Sequence, residues 1–162
     1  MGDHTEAVQV VYDPAEITYE ELLNEFWKSH SGKKHGYGGR QYMSLLVCFD
    51  NSQKKTAFSV KQKWEEIKGH KIETEIISQK PFYPAEDFHQ KYYLKQYKSA
   101  LEKLSELYPS HKGLVHSTLA ARLNGFVKGF GTMEGIKIEI SQSDGADVEK
   151  ERLQEAVSSI KW

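Results

Sequence analysis

An acid, a single thiol and several imidazoles are the side chains of this sequence that could do proton-transfer or nucleophilic chemistry. Glu6 and His4 stand immediately before the apolar run at 7–12, where a carboxylic acid could act as a proton donor. The one cysteine, Cys48, lies in the middle of another apolar run. Apolar surroundings disfavour the thiolate, and free cysteines are usually buried. We therefore predict that Cys48 packs in a core and is not a nucleophile.

Two other patterns resemble ligand sites, and neither is complete. Glu86 and His89 form a Glu-x-x-His pair, which binds metal in helical bundles only when a second copy and further carboxylates are present. The sequence has a single copy, so no metal site is predicted. The basic, glycine-rich stretch at 33–40 lacks the Gly-Lys-Ser/Thr ending of a phosphate-binding loop. It is predicted to be an ordinary loop.

Composition favours a globular protein and argues against nucleic-acid and membrane-surface binding. The 162 residues have a formal net charge of -1, with 38% hydrophobic and 28% charged residues. Lysine and arginine do not form the concentrated patch that either polyanionic partner requires. A single cysteine is compatible with a reducing compartment. We expect a soluble, cytoplasmic protein with no nucleic-acid or membrane partner.

The elements that must position these side chains alternate between strands and helices in the first half. Strands are predicted at 7–12, 42–49 and 71–77 from period-two alternation. The first helix, at 19–29, is signalled by a capping box in which Thr18 precedes Glu21 by three residues. A second helix is capped by Asp50 and ended by Gly69, with a buried stripe that includes Ile67. This order predicts an α/β fold of two layers.

The second half reads as mostly helical. Helices are predicted at 86–107, 117–128 and 148–160, and the last of them, after a polar stretch, is expected to dock loosely. The stretch GIKIEI at 135–140 alternates and is predicted to be a short strand.

Segments at 2–30, 40–55 and 81–97 resemble, in order and spacing, the methionine sulfoxide reductase A family. They read GDHTEAVQVVYDPAEITYEELLNEFWKSH, RQYMSLLVCFDNSQKK and PFYPAEDFHQKYYLKQY. Several motifs spread over about a hundred residues are far more specific than one motif alone. The forms MGDHTE and AARLNGFVKGFG also resemble an animal-type subgroup. An unrelated small α/β domain is the remaining alternative.

The resemblance implies a fold and a set of roles. The family has an α+β two-layer sandwich with a ferredoxin-like core. In it a cysteine thiolate attacks the sulfur of methionine-S-sulfoxide and becomes a sulfenic acid, while a glutamate that matches Glu6 protonates the oxygen. A tyrosine that matches Tyr42 donates a hydrogen bond to that oxygen. Tyr37, His89 and Tyr92 are implied substrate contacts. No cofactor is implied. The implied partners are oxidised methionine, in proteins or free, and thioredoxin or another thiol as external reductant.

The sequence departs from the family pattern where the nucleophile should be. The family's Gly-Cys-Phe-Trp motif is absent, its aspartate is replaced by Tyr37, and its terminal resolving cysteines are missing. We expect residues 1–97 to form a family domain without its first strand and helix, and 98–162 to form a helical extension packed on it. The chain is then a fragment of a reductase or a natural short form that acts as a binding or interaction protein. Alone it is predicted to be inactive and marginally stable as a monomer, so that it either self-associates or has a loosened sheet.

Overall fold

The computed structural model describes residues 4–34 and 39–162. They fall into two compact units, Met1–Phe82 (unit 1) and Tyr83–Trp162 (unit 2). Among its described residues, unit 1 contains two helices and two strands, α1 (Tyr19–Lys28), β1 (Leu45–Cys48), α2 (Asn51–Lys68) and β2 (Glu75–Ser78), with a 3-10 turn at Gly39–Tyr42. Unit 2 is helical, with α3 (Lys98–Leu107), α4 (His111–His116), α5 (Thr118–Phe126), α6 (Met133–Gln142) and α7 (Asp147–Ser159), preceded by a 3-10 turn at Leu94–Gln96.

Both helices of unit 1 begin and end at the residues that the sequence signals. Thr18 and Glu21 form a reciprocal capping box at the start of α1. The Asp50 carboxylate accepts from the Gln53 backbone N–H at 2.7 Å at the start of α2. Gly69 ends α2 in the left-handed conformation, with φ at 66°. These predictions are confirmed.

The sheet of unit 1 is the parallel pair β1 and β2, joined through α2. Leu45 pairs with Glu75 and Cys48 with Ser78. Parallel neighbours require such a crossover connection, and a helix usually supplies it. Helices α1 and α2 pack with the sheet around a core whose fully buried members are Leu23, Trp27, Cys48, Ala57, Val60 and Ile72.

A series of hydrogen-bonded side chains, from the half-buried His30 to the buried Trp27, crosses this core. The His30 ring lies 2.7 Å from the Phe26 carbonyl through Nδ1 and 2.8 Å from Ser44 Oγ through Nε2. Ser44 Oγ lies 2.8 Å from Thr74 Oγ1, which accepts from the Trp27 indole N–H at 3.1 Å. Throughout the described residues, every buried side-chain nitrogen and oxygen has a hydrogen-bond partner. These hydrogen bonds join α1 and the following His30 to Ser44 and Thr74, which immediately precede β1 and β2.

Unit 2 has its own core between its helices. The buried residues are Leu94, Ala100, Leu104, Leu119, Ala120, Leu123, Ile136, Ile140, Val157 and Ile160. Val157 and Ile160 anchor α7, so the expectation of a loosely docked last helix is wrong. The predicted helix at 117–128 is confirmed as α5, and the one at 148–160 as α7.

The predicted strand at 7–12 does not form. Residues 7–12 belong to no sheet, and Val8 and Val11 are 88% and 89% exposed. The two other predicted strands are shorter than expected: β1 covers only Leu45–Cys48, and β2 only Glu75–Ser78. A strand needs a neighbour to satisfy its backbone groups, which a side-chain pattern cannot provide.

Three further predictions, of a helix, a short strand and a buried side chain, also need correction. The segment 86–97 is a series of turns rather than the start of a helix, because Lys91 adopts a left-handed backbone with φ at 53°. The stretch GIKIEI lies inside α6, whose Ile136 and Ile140 share one buried face at helical spacing. Ile67 is 69% exposed rather than buried. Helix α4 was not predicted.

The coarse fold class is the one expected, helices with a small parallel sheet. The assignment of residues 1–97 to a family domain and of 98–162 to an extension stays a prediction, because compactness alone does not say which residues belong to a family.

Candidate active site

The Glu6 carboxylate is held by Gln41 at two points. The Glu6 backbone N–H donates to the Gln41 carbonyl at 2.9 Å, and Gln41 Nε2 donates to Glu6 Oε1 at 2.8 Å. The Glu6 side chain is otherwise exposed. The acid candidate therefore lies against a specific residue that is 35 positions away in sequence.

Gln41 and Tyr42 are consecutive residues of the 3-10 turn at Gly39–Tyr42. The turn is fastened to β2 by Glu75, whose backbone N–H donates to the Ser44 carbonyl at 3.0 Å and whose carboxylate lies 3.6 Å from Arg40 Nη2. Tyr42 precedes β1 instead of lying in it, which corrects the predicted strand at 42–49. Its side chain is 49% exposed, so the ring can reach a ligand. Gln41 therefore links the two candidates of unit 1, because it is hydrogen-bonded to Glu6 and immediately precedes Tyr42 in the turn.

Tyr37 lies outside the described residues, so its role as a substrate contact stays a prediction. The residues before it, up to Lys34, are hydrogen-bonded to Glu73, which lies just before β2. The Glu73 backbone N–H donates to the Gly32 carbonyl at 2.7 Å, and its carboxylate accepts from the Lys34 N–H at 2.8 Å.

His89 and Tyr92 lie in unit 2, among the turns that precede α3. The His89 ring packs against Phe88 at 4.1 Å between centroids, and its Nε2 lies 3.9 Å from Glu86 Oε2. Tyr92 is half-exposed and stacks edge-on against Tyr93 at 5.5 Å. Both rings are accessible on the surface of their unit, as a substrate contact must be.

His111, which sequence analysis missed, secures this turn segment. Its Nδ1 lies 3.3 Å from Asp87 Oδ1, and its Nε2 lies 3.1 Å from Lys95 Nζ. An ammonium group can only donate, so Nε2 is the acceptor and Nδ1 carries the hydrogen toward Asp87. Lys95 also donates to the Asp87 carbonyl. The local sequence gave no indication of this contact, because His111 lies in α4 and its two partners, Asp87 and Lys95, precede α3.

Comparison with known proteins assigns the chain to a family. The family described as peptide methionine sulfoxide reductase matches residues 1–118. The chain belongs to this family. Its relatives include the peptide methionine sulfoxide reductase of Drosophila melanogaster, 41% identical over 140 residues, which are 86% of this chain and 56% of that protein. The peptide methionine sulfoxide reductase A5 of Oryza sativa subsp. japonica is 39% identical over 132 residues, 78% of this chain and 51% of that protein.

A bacterial relative extends the same pattern. The peptide methionine sulfoxide reductase MsrA of Azotobacter vinelandii is 40% identical over 103 residues, 59% of this chain and 48% of that protein. The chain spans about half the length of the curated relatives it matches. Membership of the family excludes the alternative of an unrelated α/β domain.

The only cysteine of this reductase-family chain is a core residue, as predicted. Cys48 is 1% exposed on β1, and its Sγ lies 3.6 Å from the Tyr19 hydroxyl. Burial, together with the contact to Cys48, raises the pKa of the Tyr19 phenol. A buried thiol between α1 and the sheet cannot reach a sulfoxide in solution.

Within 4–34 and 39–162, no group of three or more histidine, cysteine, aspartate or glutamate side chains could hold a metal ion. In those ranges, no helix has the length and apolar character that crossing a bilayer demands.

Proposed function

We propose that the protein is a peptide-methionine (S)-S-oxide reductase in its complete form, and that these 162 residues contribute the proton donor and the oxygen-binding group. The observation that carries the proposal is the placement of the Glu6 carboxyl on Gln41, beside the half-exposed Tyr42. A sulfoxide oxygen is a poor leaving group until it is protonated, so an acid and a hydroxyl donor are the groups it requires.

In the proposed reaction, a cysteine thiolate attacks the sulfoxide sulfur while Glu6 protonates the oxygen and Tyr42 donates a hydrogen bond to it. The net change transfers the oxygen to the cysteine, which is oxidised by two electrons to a sulfenic acid, and the methionine sulfur is reduced by two electrons. Thioredoxin or another external thiol then reduces the sulfenic acid and releases water. No bound cofactor is needed.

The finer assignments belong to the same proposal. Tyr37, His89 and Tyr92 contact the substrate, which is oxidised methionine in proteins or free. Residues 1–97 form the family domain, with the two-layer, ferredoxin-like arrangement of its complete form, and 98–162 form an extension. The 41% identity with the Drosophila melanogaster protein over 140 residues supports the animal-type subgroup.

These 162 residues are expected to lack turnover by themselves, because the attacking cysteine is not among them. Cys48 is buried and Gly-Cys-Phe-Trp does not occur in the sequence. The second candidate function, a short form that binds without reducing, is favoured by the same burial. An in-frame Gly-Cys-Phe-Trp segment in the upstream coding sequence would decide for the complete reductase.

The activity test measures loss of N-acetyl-methionine-(S)-sulfoxide in the presence of dithiothreitol. We expect no turnover above the rate without protein. Turnover that disappears in the Cys48→Ser variant would contradict both the assignment of Cys48 to the core and the expected inactivity.

A binding test separates the proposed site from a surface without function. We expect the resonances of Glu6 and Tyr42 to shift when the sulfoxide is titrated, and the corresponding sulfide to have little effect. Glu6→Gln and Tyr42→Phe should each weaken the response. The absence of shifts near either residue at high ligand concentration would reject the site in this chain.

Self-association is a further part of the proposal, supported by the exposure of Val8 and Val11 in a segment that belongs to no sheet. An apolar strand segment without a sheet partner is a template for pairing with other chains. We expect sedimentation velocity to show concentration-dependent association, reduced in a Val8→Thr/Val11→Thr variant. A concentration-independent monomer would contradict it.

A further inference from the structure

We infer that Gln41 is a positioning residue that determines which oxygen of the Glu6 carboxyl carries the proton; this inference rests on the proposed function. Sequence comparison with the family motif drew attention to Tyr42, but the residue that touches the acid is its neighbour. Gln41 has two contacts with Glu6, one through its backbone carbonyl and one through its side-chain amide.

The two contacts act together. The hydrogen bond from the Glu6 N–H at 2.9 Å locates the main chain of Glu6 beside the 3-10 turn. The 2.8 Å bond from Gln41 Nε2 then locates one carboxyl oxygen, Oε1. An exposed glutamate without such contacts samples several rotamers, and each rotamer places its carboxyl elsewhere. The double contact restricts the acid to one region above the turn.

The chemistry of the contact selects the proton-bearing oxygen. The amide nitrogen of Gln41 is a donor, so it requires an acceptor lone pair on Oε1. A protonated carboxyl has one hydroxyl oxygen and one carbonyl oxygen, and the carbonyl oxygen is the better acceptor. Gln41 therefore favours the carbonyl at Oε1 and the O–H at Oε2. Among the described residues, no other hydrogen bond reaches the Glu6 carboxylate, so Oε2 is the oxygen left for a ligand.

The support for Gln41 comes from β2. Arg40 precedes it and lies 3.6 Å from the Glu75 carboxylate, and the Ser44 carbonyl behind it accepts from the Glu75 N–H at 3.0 Å. Gln41 is itself half-buried, whereas Glu6 and Tyr42 are exposed. The anchored residue thus holds the acid, and the next residue along the chain is the half-exposed Tyr42. Gln41 sets the position of the proton relative to the Tyr42 donor.

The test uses the whole 162-residue chain and a double-mutant cycle of Gln41→Met and Glu6→Met. The probe is N-acetyl-methionine-(S)-sulfoxide amide, titrated by NMR. We expect Gln41→Met to weaken binding about fivefold to tenfold in the native background and to have no further effect in the Glu6→Met background. A residue with only a structural role would weaken binding equally in both backgrounds, and that result would overturn the inference.

A second measurement needs no ligand. In Gln41→Met, the carboxyl carbon resonance of Glu6 should move, while the backbone amides of Tyr42 and Ser44 stay in place. The matched control is Gln154→Met in unit 2, which also removes an amide donor, the one bonded to the Lys137 carbonyl at 3.4 Å. It should leave both the Glu6 resonance and probe binding unchanged.

The two measurements distinguish the inference from the proposed function. If the native chain does not bind the probe, the proposed site fails in this chain, and the Glu6 resonance alone decides whether Gln41 positions it. If the probe binds but Gln41→Met leaves both binding and the Glu6 resonance unchanged, the site stands and the role of Gln41 is rejected.

Discussion

Replacing Thr74 by valine is expected to destabilise unit 1 by about 2 kcal/mol, although the two side chains have nearly the same shape. Thr74 is 5% exposed and lies between Trp27 and Ser44 in the polar chain of the core. Valine keeps the packing and removes the hydroxyl. The substitution therefore isolates the hydrogen bonds of the chain from its apolar contacts.

The directions of these bonds follow from the carbonyl at one end. The Phe26 carbonyl can only accept, so His30 Nδ1 carries a hydrogen and, in a neutral ring, Nε2 accepts from Ser44. Thr74 must then donate to Ser44, and it accepts from the Trp27 N–H. Valine removes two bonds, each worth about 0.5–1.5 kcal/mol, and leaves a buried indole N–H unsatisfied. The expected loss is about 1–3 kcal/mol.

The assay is urea unfolding followed at the Trp27 indole 1H–15N resonance. With a slope of about 2 kcal/mol per M, a loss of 2 kcal/mol moves the midpoint by about 1 M. The indole proton of Trp27 should also move upfield in the native variant, since its acceptor is gone. Following one resonance restricts the measurement to unit 1, which contains Trp27.

Thr56→Val is the matched control, because Thr56 donates to the Ser52 carbonyl at 3.1 Å on the outside of α2. A surface substitution of this kind changes stability by no more than about 0.5 kcal/mol. A Thr74→Val variant that unfolds within the same margin, with an unchanged indole shift, would refute the directional hydrogen-bond chain.

Two further predictions concern a turn and a helix cap. Gly32→Ala should lower the free energy of unfolding by about 1–3 kcal/mol more than Gly69→Ala, as measured in urea. Both glycines have a positive φ, but only a Cβ at Gly32 would meet the Ile72 side chain, at 2.9 Å. Equal losses in the two variants would contradict this prediction. The Thr18 side chain, and next its backbone N–H, hold the pKa of the Glu21 carboxyl below its usual range. Because the pKa of Glu21 is lower in the folded state than in the unfolded state, its ionised form stabilises the fold at pH values above the unfolded pKa. The free energy of unfolding should therefore fall as the pH drops below about 4.5, and it should fall by less in Thr18→Ala. The same loss of stability at acidic pH in both proteins, measured by urea unfolding at several pH values, would contradict this prediction.

Sequence patterns succeeded where a few neighbouring residues decide the structure. The capping box, the Asp50 cap and the glycine that ends α2 each depend on contacts within about four residues. The burial of Cys48 followed from its place in an apolar run. Patterns failed at 7–12 and at 135–140, because the same apolar alternation fits a strand or one face of a helix until its neighbours are known. Nothing local announced the left-handed Lys91 that interrupts 86–97.

The sequence by itself determined the family and the helix boundaries of unit 1, since these depend on residue type and short-range order. Only the tertiary structure decided that Gln41 holds Glu6, that His30, Ser44, Thr74 and Trp27 share one hydrogen-bonded chain, and that Tyr42 stands on a turn before β1. Each of these contacts joins residues between 14 and 47 positions apart. Such contacts exist only after α1, α2 and the two strands have packed together, because packing sets the distance between side chains that the sequence keeps apart.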